Sequence, residues 1–159
     1  MVRLRPETLD FLQTAPKRWT FDAPMTASAA STFTAISADP STWSWFPGLS
    51  SGRYAGGGEP GVGTIREVTV GGTKYRETIL AWEEPDRWVY RVDEMTVPLA
   101  HALVEEWAIR AQGPGSIVRW TFAIDPRALF RVSMALAPTV MGALFRKAMR
   151  NLNATLASA

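Results

Sequence analysis

The stretch Thr64-Ile65-Arg66-Glu67-Val68-Thr69-Val70-Gly71-Gly72-Thr73-Lys74-Tyr75-Arg76-Glu77-Thr78-Ile79-Leu80 sets a Gly-Gly pair between two alternating runs, and its reading decides the fold. Two glycines between strand-patterned runs predict a two-residue hairpin turn, whose central positions require positive φ. That turn fixes a register in which Val70 faces Thr73, Val68 faces Tyr75, Glu67 faces Arg76 and Arg66 faces Glu77. One opposite-charge pair then falls on each face of the ribbon, an arrangement that a one-residue slip destroys.

Two more hairpins follow toward the C-terminus. A four-residue loop at Glu84–Arg87 is expected to set Ala81 opposite Tyr90 and Ile79 opposite Val92. A loop at Gln112–Gly115 sets Trp107 opposite Trp120, Ile109 opposite Val118 and Glu105 opposite Phe122, all on one inner face. Strands are predicted at about 52–57, 62–70, 73–83, 87–94, 101–112 and 116–125. Beyond them, Ala128–Ala159 reads as one long apolar helix with a break at Pro138, which should kink it or divide it into a mobile segment, 128–137, and an anchored one. Met134, Met141, Phe145, Met149, Leu152 and Leu156 recur on it at helical spacing, and the methionines promise a deformable wall.

Toward the N-terminus, a short helix is predicted within residues 6–14, with Leu9, Phe11 and Leu12 needing cover. Arg18–Asp22 is a strand that Pro24 should end, and Ala27–Ser37 is a helix with Ala29, Phe33 and Ile36 on one face. Asp39-Pro40 supplies a cap and a first-turn proline for a second short helix over Pro40–Trp45. The expected fold is α+β: a curved seven-stranded antiparallel sheet wrapped around a long C-terminal helix, with two short helices between strands 1 and 2. It is expected as a single domain over 1–159, with residues 1–17 as an N-terminal arm.

Composition excludes several function classes. With no cysteine there is no disulfide framework or thiolate nucleophile, and with one histidine, His101, no multi-histidine metal site. No metal and no cofactor are expected. No apolar run follows Arg3 and Arg5, and the most apolar window, Ala128–Phe145, is interrupted by Arg131 and Pro138, so a soluble cytoplasmic protein is expected. Basic residues gather at both ends (Arg3, Arg5, Lys17, Arg18; Arg127, Arg131, Arg146, Lys147, Arg150). A solvated face is the simpler reading, and transient contact with a membrane surface is the partner it leaves open. Scattered arginines without interleaved aromatics argue against nucleic acid. Monomer and homodimer both remain compatible.

The order strand, two helices, six strands, long helix resembles the helix-grip fold of the START-like (SRPBCC) superfamily, in its bacterial polyketide cyclase/dehydrase and lipid-transport branch. The likeness is carried by Ala38-Asp39-Pro40-Ser41-Thr42-Trp43-Ser44-Trp45-Phe46-Pro47-Gly48, by Pro60-Gly61-Val62-Gly63-Thr64-Ile65-Arg66, and by Trp82-Glu83-Glu84-Pro85-Asp86-Arg87-Trp88-Val89-Tyr90-Arg91-Val92. It covers Trp19 to the C-terminus. What it implies is a pocket for a hydrophobic small molecule, lipid or polyketide-like, between sheet and last helix. The branch includes carriers and aromatase/cyclases, so the resemblance transfers no catalytic residue.

The residues expected to line that pocket are Trp45, Arg66, Glu77, Ile79, Tyr90, Glu105, Trp107, Trp120, Phe122, Met134, Met141 and Phe145. Glu105 falls among Phe122, Trp107 and Tyr90, where a lone carboxylate must be protonated or hydrogen-bonded. It serves as a pocket acid or as a structural partner of Tyr90, or is wet if the register differs. Arg66 and Glu77 face inward as a buried ion pair or as an anchor for a ligand head group. His101 is placed at the rim. Trp43, Trp45 and Phe46 either pack across the sheet mouth or gate it. Gly56-Gly57-Gly58 lacks the Lys-Ser/Thr of a phosphate loop and reads as a turn.

Overall fold

The computed structural model describes residues 1–159. Its elements are β1 (Val2–Arg3), α1 (Phe11–Thr14), β2 (Lys17–Met25), α2 (Ala29–Ser37), β3 (Leu49–Ala55), β4 (Ile65–Val70), β5 (Thr73–Glu83), β6 (Arg87–Met95), β7 (Ala100–Gln112), β8 (Gly115–Pro126) and α3 (Ala137–Ala157). The sheet is antiparallel and ordered β2-β8-β7-β6-β5-β4-β3. The C-terminal helix packs on its inner face through Phe145, Ala148, Met149 and Leu152. This is the expected helix-grip architecture. The strand count is eight rather than seven, because β1 also joins the sheet beside β6.

The Gly-Gly hairpin has the derived register, with Arg66 opposite Glu77 and Val68 opposite Tyr75. Gly71 and Gly72 both have positive φ, 55° and 80°, as a two-residue turn of this hand requires. The β7/β8 pairing also agrees: Trp107 opposes Trp120 and Glu105 opposes Phe122. The β5/β6 hairpin differs. Its connection holds only Glu84, Pro85 and Asp86, with Glu83 opposite Arg87, and the register shifts at Leu80 and again between Glu77 and Arg76. Ile79 therefore faces Tyr90 rather than Val92, and Ala81 faces Val89 rather than Tyr90. A bulge moves every later side chain to the other face, so Trp82 joins the inner core while Ala81 turns outward.

That outward position is covered. Phe11 and Leu12 of α1 pack on Ala81, Val89, Ala102, Val104 and Ala123. The arm is also held by main-chain bonds: Leu4 N–H donates to the Asp93 carbonyl and Arg5 N–H to the His101 carbonyl, so residues 2–5 sit between the diverging ends of β6 and β7. Ala81→Trp is accordingly expected to lift α1 off the sheet and cost about 1–3 kcal/mol by overpacking, measurable by urea denaturation. Ligand binding in the cavity described below should be unchanged.

Other boundaries moved for identifiable reasons. Pro24 lies inside β2, tolerated because β2 is an edge strand and needs no second row of donors. The predicted strands at 52–57 and 62–70 become Leu49–Ala55 and Ile65–Val70, with the glycine cluster in the loop between them. Ser28 caps α2, so that helix starts at Ala29, and the helix in 6–14 shrinks to Phe11–Thr14. The helix at Pro40–Trp45 is a single 3-10 turn, Pro40–Thr42, capped by Asp39. Pro138 does not break a helix: it occupies the first turn of α3, where its missing N–H has no intrahelical partner to lose. The preceding residues form two 3-10 turns, Ala128–Phe130 and Ser133–Ala135, rather than α-helix.

Candidate functional site

The inner face of β4–β8, α3 and the segment Trp43–Leu49 enclose a cavity of about 230 Å³. It lies between the main aromatic core and a second cluster built from Val92, Met95, Leu103, Ile124 and Met134, and Phe122 packs against both. The walls are Trp43, Phe46, Leu49, Val68, Val70, Tyr75, Leu99, Trp120, Phe122, Met141 and Leu144; the polar residues are Arg66, Glu77 and Glu105, with Tyr90. A larger depression, about 440 Å³, lies between the charged side chains Arg53, Glu67, Lys74 and Arg76 at the sheet surface, with Met1, Val68 and Tyr75 as its apolar lining.

Register explains how four polar groups reach one floor. Arg66 and Glu77 are directly opposed, and Arg66 Nε donates to Glu77 Oε2 at 2.5 Å with both side chains almost fully buried. The guanidinium is boxed by aromatic rings, 4.3 Å from the Tyr90 centroid, 4.7 Å from Trp88 and 5.0 Å from Trp43. Burial is the largest single influence and opposes its charge, but Glu77 together with Tyr90 and Tyr54 holds its pKa above the ordinary value. Burial pushes the Glu77 carboxyl upward, with Arg66 pulling it back. Arg66 Nη1 has no hydrogen-bond acceptor in the protein although it is buried.

Glu105 is opposite Tyr90 on β6 and Phe122 on β8. Its Oε2 accepts from the Tyr90 hydroxyl at 2.6 Å and from Trp120 Nε1 at 2.9 Å. Both bonds favour the ionised form, yet burial and the nearby Glu77 charge dominate and raise its pKa from 4.5 to about 7. Burial also holds the Tyr90 phenol well above 10. The floor therefore holds the Arg66–Glu77 contact and, beside it, a Glu105 carboxyl group poised near neutrality between its two protonation states.

Of the residues singled out from sequence, Trp43, Phe46, Arg66, Glu77, Tyr90, Glu105, Trp120, Phe122 and Met141 line this cavity. Ile79, Trp107 and Phe145 lie one layer deeper: Trp107 stacks on Trp120 at 5.5 Å, and Phe145 contacts both rings. Trp45 is buried against Trp43 and Phe46, and Asn151 Nδ2 donates to its carbonyl. Met134 plugs the second cluster instead of forming a wall. His101 is exposed, and its carbonyl accepts the bond from Arg5. Val68, Val70 and Tyr75 were missed, although the alternation that turns Arg66 and Glu77 inward turns them inward too. Leu99 and Leu49 come from connections or strand ends, where no periodicity marks a face.

The sheet, the helix it grips and the apolar cavity between them define the START-like class. Within that class the chain belongs to the family described as polyketide cyclase/dehydrase and lipid transport, whose model matches residues 17–157. Solved structures with a similar fold include ginseng major latex-like protein 151 from Panax ginseng, at 14% identity and TM-score 0.73, covering 87% of this chain and 96% of that one. A START superfamily protein from Mycobacterium smegmatis is similar at 11% identity and TM-score 0.72, covering 89% and 97%. A search of curated protein sequences found no match. Family and fold together point to hydrophobic-ligand binding or to cyclase/dehydrase-like chemistry. No helix is long and apolar enough to cross a membrane.

Proposed function

We propose that this protein binds and carries a small hydrophobic molecule bearing an oxygen acceptor at one end, lipid or polyketide-like in character. The observation behind this reading is the pairing of apolar walls with an unpartnered buried donor, Arg66 Nη1, on the floor. Apolar area supplies affinity, and a ligand carbonyl, hydroxyl or carboxylate oxygen accepting from Arg66 supplies orientation. A cavity of about 230 Å³ suits a compact ligand or the end of a longer one extending through the mouth. Arg66, Glu77, Tyr90, Glu105, Trp120, Phe122 and Met141 are the proposed ligand contacts, with Trp45, Ile79, Trp107 and Phe145 supporting them from behind.

A second reading, aromatase/cyclase or dehydratase chemistry in the same cavity, is favoured by one specific feature. Glu105 titrates near neutrality beside a tyrosine hydroxyl and can give or take a proton at a ligand carbonyl. The carrier reading is preferred because the other carboxyl on the floor, Glu77, is engaged by Arg66 and is not free to exchange a proton with a ligand.

Native mass spectrometry of the purified protein, followed by titration with a fluorescent fatty-acid-like probe, tests the binding reading. One stoichiometric site is expected. Val70→Trp, which fills the cavity from β4, should weaken the probe about tenfold or more while leaving the circular dichroism spectrum intact. Unchanged affinity in that folded variant would place the probe elsewhere.

A further inference from the structure

Four large apolar residues are left in solvent within twelve positions, in the segment that runs into the cavity-lining helix α3: Leu129 at 84% exposure, Val132 at 87%, Leu136 at 70% and Val140 at 65%. They are not waiting to fold inward, because the same segment already buries Met134 and packs Phe130 on its other side. Along α3 the outward line continues at three- and four-residue steps from Val140 through Ala143 and Lys147 to Arg150, all exposed. The line is apolar near the mouth and basic farther along. After Asp125 the chain holds five basic residues and no acidic one, whereas the rest of the chain carries net negative charge.

We propose that this face docks on an anionic membrane surface. The apolar stripe from Leu129 to Val140 enters the interface while Arg131, Lys147 and Arg150 meet lipid phosphates. Val140 and Lys147 are separated by roughly 10 Å of helix, comparable to the depth over which an interfacial segment passes from acyl chains to head groups. The stripe is continuous with the cavity, since Met141 and Leu144 of the same helix line its wall. The nearest β6/β7 loop residues, Thr96 to Leu99, bring no acidic group, and Asp125 is paired to Arg5. A second copy of the chain is a poor occupant, because an isologous contact would oppose the two basic faces. Docking places the mouth at the bilayer, where an apolar ligand enters or leaves without crossing water.

Co-sedimentation with vesicles tests this without any ligand. The full chain is expected to partition onto phosphatidylcholine vesicles containing phosphatidylglycerol, at least tenfold more strongly than onto pure phosphatidylcholine, with the difference falling at high salt. Val132→Asp/Leu136→Asp should reduce partitioning at least tenfold, and the milder Val132→Ser/Leu136→Ser severalfold. Lys147→Glu/Arg150→Glu should erase the preference for anionic lipid. All these positions are exposed, so thermal unfolding should match wild type. Absence of wild-type binding, equal binding to both vesicle types, or binding untouched by the apolar substitutions would overturn the proposal. So would a dimer seen by analytical ultracentrifugation that the same substitutions dissociate while vesicles remain unbound.

Discussion

Arg66→Met is expected to destabilise the protein by about 3–5 kcal/mol, because it leaves the Glu77 carboxyl buried without its partner. The cost comes from stranding one charge and not from the value of the pair. Glu77→Leu strands the guanidinium instead, although the rings of Trp43, Trp88 and Tyr90 still face it and soften the loss. The double variant Arg66→Met/Glu77→Leu should recover most of the stability, since apolar residues of similar volume often replace a buried pair at little cost. Chemical denaturation of the four proteins gives a coupling of several kcal/mol if the pair is as dry as its burial indicates; additive losses would mean that water reaches it. The double variant also separates the roles of floor and wall. It should retain a purely apolar probe and lose preference for an oxygen-bearing one.

The parts of the site legible in the sequence are those fixed by a turn. Gly71-Gly72 leaves no choice of register, so the opposition of Arg66 and Glu77 follows from two glycines and the parity of a strand. The β7/β8 hairpin likewise places Glu105 beside Phe122 and one strand from Tyr90, and the expected hydrogen bond from Tyr90 is present. Even there, the actual connection is the two residues Gly113 and Pro114, with Gln112 already paired to Gly115. The register survives because trimming one residue from each side of a loop leaves every pair unchanged.

Where the sequence reading failed, the determining interaction was distant or broke the alternation. Leu80 interrupts an otherwise regular β5, and nothing in Ile79-Leu80-Ala81-Trp82 announces that the faces exchange there. Ala81 looked like a small inner residue because the arm that buries its true face is some seventy positions away. The pairing of the arm is not legible in the sequence: Val2 to Arg5 carry too few residues to read as a strand, and they pair only because the ends of β6 and β7 diverge. Pro138 reads as a break only if helix lies on both sides of it. The residue is in fact a start signal, and the two 3-10 turns before it leave the apolar stripe in solvent.

Glu105→Gln is expected to flatten the pH dependence of stability between about pH 4.5 and 7. The folded state raises this carboxyl's affinity for a proton, so in that window the native protein holds more protons at this site than the unfolded chain does. Stability from this source is complete below the unfolded value, falls as pH rises, and is gone above the folded one. A shift from 4.5 to about 7 is worth about 3 kcal/mol, so at pH 8 the neutral glutamine should recover up to that amount relative to wild type. The amide oxygen can still accept from both Tyr90 and Trp120, which bond a single carboxylate oxygen. Urea denaturation of both proteins at pH 4, 6 and 8 measures the slope; parallel curves would show that Glu105 is hydrated. The same variant divides the two functional readings. A carrier should hold its ligand within a few fold, since the hydrogen bonds and walls persist. An enzyme using Glu105 as acid or base should still bind but lose turnover by roughly a hundredfold, because an amide does not exchange that proton. Following the co-purified ligand's mass as well as its release therefore decides between them: conversion by wild type and not by Glu105→Gln would overturn the carrier reading, whereas release of an unchanged ligand from both would leave the buried acid with a purely structural and orienting role.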